Sequence, residues 1–130
     1  MAYAAENEIT SLYAENTLRR HTANSMTMVS QLLTELRRIR AQGHGAEEGE
    51  WRPGVEGFAV PIFNPEGHVN LAIWALASPG SELMRDADRS VRLAARAAHD
   101  IIVYATGKHP LVWPRDKPRI HPEKKDFDDC

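Results

Sequence analysis

Val29, Leu32, Leu33, Leu36 and Ile39 recur at intervals of three and four, a spacing that lays one apolar stripe along a helix. Thr27 stands where a cap is needed and Gly43 where the helix should stop. A shorter stripe of Ile9, Leu12 and Tyr13, with Glu8 and Glu15 on the wet side, predicts a helix over 7–15. That helix is too short to persist without packing. Between the two, residues 16–26 are rich in Asn, Thr, Ser and Arg; the short polar side chains compete for backbone hydrogen bonds, which predicts a loop. Residues 43–54 mix glycines with Glu47, Glu48, Glu50, Trp51 and Pro53, predicting an irregular connection with at most a short strand near Trp51.

Beyond residue 56 the period changes from that of a helix to that of a strand. Residues 57–63 and 68–77 are two β-favouring runs separated by Asn64-Pro65-Glu66-Gly67, whose proline and glycine suit successive turn positions. A hairpin follows. In its second run Val69, Leu71, Ile73, Ala75 and Ala77 alternate with His68, Asn70, Ala72, Trp74 and Leu76, so both faces become apolar toward the end. This predicts a central strand covered on both sides. Ser81 then caps a long helix carrying Leu83, Ala87, Val91, Ala94, Ala95, Ala98, Ile101 and Ile102, closed by Gly107. Pro110, Pro114, Pro118 and Pro122 follow among mixed charges without periodicity. The expected organisation is one folded unit over 1–106 and an extended, disordered tail over 107–130. The fold class is α+β, an antiparallel sheet with flanking helices.

Composition narrows the function. Sixteen Lys and Arg against eighteen Asp and Glu give a net charge of -2, no field for gripping a phosphate backbone. Arg37, Arg38 and Arg40 are a local basic cluster, read as a solvated helix face, with contact to DNA or a partner as the alternative. One cysteine, Cys130, excludes an internal disulfide framework and a Cys-based zinc site, and fits a cytoplasmic setting. No stretch has the length of a membrane span or the form of a signal peptide. The histidines lack the paired spacing of a metalloprotease, and no Gly-x-Ser-x-Gly elbow or phosphate loop occurs. Neither a metal nor a cofactor is expected. His44, Glu47 and Glu48 can be read as an acid–base or metal cluster, or as solvated loop surface; the second reading is adopted.

Four local segments resemble, in order, the second half of the effector-binding domain of IclR-type bacterial transcriptional regulators. Ile9-Thr-Ser-Leu-Tyr-Ala-Glu is similar to the family's short helix, and His21-Thr22-Ala-Asn-Ser25-Met-Thr27 to its approach to the next one. Leu32-Leu-Thr-Glu-Leu-Arg-Arg-Ile-Arg-Ala-Gln-Gly43 is similar to the family's Leu-Leu-x-Glu-Leu helix, after which Glu47, Glu48 and Gly54 echo an acidic pair and a glycine. Ala59-Val-Pro61-Ile-Phe63 with Gly67 matches its Ala-x-Pro-Val-Phe strand and turn, and Ser78-Pro79 stands where its second strand ends.

The resemblance covers roughly residues 5–106 and implies a partial effector-binding domain of the GAF/profilin-like kind. It also implies a non-enzymatic sensor of a small organic effector, working as a homo-oligomer. The winged helix that contacts DNA in such regulators has no counterpart in this sequence. Carried over by position, the family's polar effector contacts fall on Glu47, Gly57, Ala75 and Ala77. Three of these lack polar side chains, so an apolar or aromatic ligand is expected, with Phe58, Trp74 and Leu76 as lining. For Ala75 and Ala77 the competing reading is a strand packed tightly under a helix. The strand is one residue longer between Gly67 and Pro79 than the family pattern, which implies a bulge. Two rival functions are a stand-alone interaction module derived from such a domain and, remotely, a small enzyme using Glu47, Glu48 and His44.

Overall fold

A computed structural model describes residues 1–13 and 18–110. Along them run α1 (Glu6–Tyr13), α2 (Val29–Gln42), β1 (Gly45–Glu48), β2 (Glu56–Phe63), β3 (Val69–Ala77), α3 (Glu82–Arg85) and α4 (Ala87–Thr106). The strands form one antiparallel sheet in the order β1-β2-β3, and α4 covers one of its faces. The α+β class read from the periodicity is the class observed. Residues 14–15 of the first expected helix, and the tail from 111 onward, lie outside the described residues.

The core forms where the stripe of α4 meets alternate positions of β2. Phe58, Val60 and Ile62 are buried there with Val91 and Ala98, and Ile73, Ala75, Leu83, Ala94 and Ile102 pack around them. Alanines at 94, 95 and 98 let the helix approach the sheet closely. The stripe is turned slightly from the expected one: Ile102 packs inward while Ile101 is 46% exposed. On the other side of the chain, Ile9 of α1 and Leu36 of α2 are buried.

The ends of α2 show how local chemistry sets its limits. The N-cap is Met28 rather than the expected Thr27, because the Gln31 side-chain oxygen reaches back to accept from the Thr27 and Met28 N–H groups, each at 3.1 Å. At the other end Gly43 takes a left-handed φ of 82° and its N–H donates to Ile39 O at 2.8 Å. The basic cluster is engaged internally. Arg37 holds Glu6 through two bonds of 2.9 and 2.8 Å, Arg38 holds Glu35, and Arg40 caps the carbonyls of Ala2 and Ala4.

Three expectations are corrected. A strand, β1, occurs at Gly45–Glu48, before Trp51 and not at it. Its Gly-Ala-Glu-Glu sequence has little β preference, and the pairing edge of β2 supplies what the residues do not. The long helix from Ser81 is broken at Asp86, whose φ and ψ of -125° and 62° interrupt it and whose carboxylate accepts from Arg89 N–H at 3.1 Å. Asp86, not Ser81, makes the side-chain cap of α4. Finally, among the described residues β3 is an edge strand of the sheet and β2 is the central one. Apolar residues on both faces of β3 show what the strand is able to bury, not what buries it. Where a bulge was expected the register of the pair shifts: Ile62 pairs with Leu71 and Phe63 with Val69, leaving Asn70 over.

The turn after β1 is clamped by the loop before α2. Thr22 Oγ1 donates to Gly49 O at 2.7 Å, Asn24 Nδ2 to Glu48 O at 2.8 Å, and Ser25 Oγ to Glu50 O at 2.5 Å. These bonds hold in place the segment that carries Glu47, Glu50 and Trp51.

Candidate functional site: a cleft on the uncovered face of the sheet

Strand alternation decides which residues face away from α4. In one cross-strand row Glu47 pairs with Gly57 and Gly57 with Leu76; in the next, Gly45 pairs with Ala59 and Ala59 with Trp74. Small residues occupy the centre of both rows and large ones the β3 side. The sheet surface is therefore concave there, and Trp51 from the clamped turn adds a wall. The result is a cleft of about 450 Å³ lined by Gly45, Ala46, Glu47, Trp51, Phe58, Ala59, Trp74 and Leu76. That volume falls within the range of small-molecule sites.

The six positions singled out in the sequence are divided by this geometry. Glu47, Phe58 and Trp74 line the cleft. Gly57 faces the same side but offers no side chain, and the space is taken by Leu76: a Cβ built at Gly57 would lie 2.6 Å from Leu76 Cδ2. Ala75 is on the opposite face, packed against the α4 core opposite Phe58, and Ala77 shares that alternation. The residues facing the cleft from β3 are Trp74 and Leu76, one position earlier, because Asn70 shifts the register. Trp51 was not a sequence candidate. An aromatic residue among Gly, Pro and charged neighbours, 57% exposed, was its one signal.

The polar groups are concentrated at one end. Glu47 Oε1 accepts the Trp51 N–H at 3.1 Å, closing the turn. Burial, then a hydrogen bond to the Glu47 side chain and its charge, push the Glu50 carboxyl up from 4.5 to about 7. The folded state thus holds the Glu50 proton more tightly than the unfolded chain does. Its contribution to stability is full below pH 4.5 and is lost as pH rises through about 7. Glu50→Gln is expected to remove that pH dependence and to raise the melting temperature by a few degrees at pH 8 and little at pH 4.5. Thermal melts at the two values check this.

His44 is 1% exposed, and burial holds its imidazole below the ordinary histidine range, hence neutral. Its Nδ1 lies 3.3 Å from Gln42 O. It borders a second cavity of about 370 Å³, on the α4 side, with Arg38, Glu48, Glu56 and Met84. Since Glu47 and Glu48 are consecutive in β1, their side chains point to opposite faces. Glu47 and Glu48 both border this cavity with His44, but the Glu47 carboxylate is engaged by the Trp51 N–H, and among the described residues no group of three or more His, Cys, Asp and Glu is placed to hold a metal ion.

Comparison with known proteins agrees with this architecture. The family model described as bacterial transcriptional regulator IclR C-terminal matches residues 1–104. A comparison with curated proteins gives no match. Among solved structures, the chain is similar to an IclR-type transcriptional regulator from Alicyclobacillus acidocaldarius, at 27% identity and a TM-score of 0.71 over 81% of this chain and 42% of that one. It is also similar in fold to the C-terminal domain of the E. coli regulator KdgR, at 23% identity and 0.71, covering 79% of this chain and 63% of that one. The inducer-binding domain of PobR from Acinetobacter, solved as a double mutant with 3-hydroxybenzoic acid, matches at 19% identity and 0.70, over 77% and 58% of the respective chains. The chain thus spans from 42% to 63% of the length of these relatives. By the match over residues 1–104 it belongs to the family of bacterial transcriptional regulators that share the IclR C-terminal domain.

Proposed function

We propose that the cleft is the effector site of a ligand-sensing regulatory domain and that it takes a small organic molecule with an apolar or aromatic body. The observation that carries this reading is the pairing of small central residues with Trp51, Trp74 and Leu76, which makes a concave apolar surface on the uncovered face of the sheet. The inducer complex of PobR supports it by analogy of fold. A ligand there shifts the regulator only through its different affinity for two arrangements of the domain. Contact with DNA belongs to a winged helix outside this sequence, the working form is a homo-oligomer, the setting is the cytoplasm, and the domain is not a catalyst.

A thermal-shift screen of small aromatic compounds against small keto acids tests the reading. Saturation at about 100 times Kd corresponds to roughly 2.7 kcal/mol of stabilisation, several degrees for a domain of this size. Stabilisation by aromatic compounds is the expected result, and stabilisation by keto acids alone sinks it. A second reading, an association module, is favoured by β3, an edge strand from Val69 to Ala77 in which Asn70 is the one polar residue. Exposed apolar edges of this kind invite strand addition. Self-association in sedimentation without any ligand-dependent thermal shift favours that alternative.

A further inference from the structure

We infer that the ligand of the cleft is an organic cation, an amine or quaternary ammonium on an apolar or aromatic body, with its charge beside Glu47 and its body against the indoles of Trp51 and Trp74. This rests on the effector-site reading above and specifies the ligand's charge. Among the described residues that line the cleft, Glu47 is the one ionisable side chain, and none is Lys, Arg, His, Ser or Thr. A carboxylate placed there would meet a like charge, and no cationic side chain lines the cleft to offset it. A cation meets the opposite charge and two indoles, and indole is the aromatic face to which cations bind best.

One of those faces already holds a cation. The Arg52 guanidinium sits over the Trp51 ring, 5.1 Å from its centroid, while Arg52 itself does not line the cleft. Trp74 comes from the middle of β3 and is 67% exposed, so its ring is available to a ligand. Among the described residues no lysine or arginine is hydrogen-bonded to Glu47, whose carboxylate is tied to the Trp51 N–H and to Glu50, itself a carboxyl group. Arg38, which interacts electrostatically with Glu48 and Glu50, is hydrogen-bonded to Glu35 and borders the cavity on the α4 side.

Three probes of equal ring size separate charge from apolar character: benzyltrimethylammonium, benzyl alcohol and benzoate. They are titrated against the full chain by tryptophan fluorescence, with Trp51 and Trp74 as reporters. The cation is expected to bind at least about tenfold more tightly than benzoate, with the alcohol between. Glu47→Gln keeps an acceptor for the Trp51 N–H and is expected to level the three affinities. Trp74→Ala, a change at an exposed position, is expected to weaken all three and serves if Glu47→Gln does not fold. Benzoate or benzyl alcohol binding as tightly as the cation overturns the charge assignment and leaves the effector-site reading standing. So does a cation preference unchanged in Glu47→Gln. Failure of all three probes to bind overturns both.

Discussion

Replacing Phe58 by alanine is expected to cost about 3–5 kcal/mol of stability, read in urea as a lower midpoint with an unchanged slope. Phe58 is 6% exposed, packs with Val60, Ile62, Val91 and Ala98, and stands between Ala46 on β1 and Ala75 on β3. Its two cross-strand neighbours are alanines and cannot grow into the space a truncated ring would leave. The cavity term therefore adds in full to the loss of apolar burial. Domains of this size have about 5–15 kcal/mol in total, so the variant should be largely unfolded by moderate heating. Phe58→Leu, which keeps most of the volume, should recover more than half of the loss. A cost below about 1 kcal/mol for the alanine variant would mean that the sheet–helix core is not centred on β2.

That core was legible because periodicity and burial agree for β2 and α4. The hairpin was legible for a different reason: Asn64 and Gly67 build the turn, where Asn64 Oδ1 accepts from His68 N–H at 2.8 Å and Gly67 takes a φ of 84°. β1 was not legible, because Gly45-Ala46-Glu47-Glu48 carries no β-branched or aromatic residue and owes its conformation to a partner distant in sequence. Gly45 has its own reason, since a Cβ there would lie 3.3 Å from Ile39 Cδ1. The break at Asp86 was missed for the opposite cause: the apolar stripe continues through it, and only a capping side chain inside the stripe marked the interruption. The position of β3 at the sheet edge could not be read at all, since alternation counts the faces that are apolar and not the elements that cover them.

The site was legible in its elements more than in its residues. Glu47, Gly57, Ala75 and Ala77 were carried over by position and Phe58 and Trp74 expected as apolar lining; the cleft is bordered by Glu47, Phe58 and Trp74, whereas Ala75 packs on the α4 side. The unpaired Asn70 goes with the alternation of β3 that puts Trp74 and Leu76 on the cleft side. One unpaired residue thus exchanges two alanines for an indole and an isobutyl group on the cleft side.

Gly57→Ala tests that register most directly, because its sign is informative. Where the native backbone tolerates a side chain, Gly→Ala stabilises by about 0.4–1 kcal/mol through the unfolded chain, and Gly57 has no positive φ to forbid one. Contact geometry predicts the reverse. A Cβ at this position would lie 2.3 Å from Ala75 O and 3.2 Å from Leu76 Cα, both backbone atoms of β3, so the strand must shift before the methyl group fits. Overpacking of this kind costs about 1–3 kcal/mol, and the rigid partner puts Gly57→Ala at the upper end. The strand shift should also carry Leu76 and Trp74 with it, so ligand affinity at the cleft falls together with stability. A second variant separates the two effects: Leu76→Ala removes the contact at 2.6 Å but not the clash with the carbonyl, so it should rescue Gly57→Ala only in small part. Full rescue, or a stabilised Gly57→Ala, would show that β2 and β3 are not paired as Gly57 with Leu76, and the cleft would then have to be rebuilt around Ala75 and Ala77.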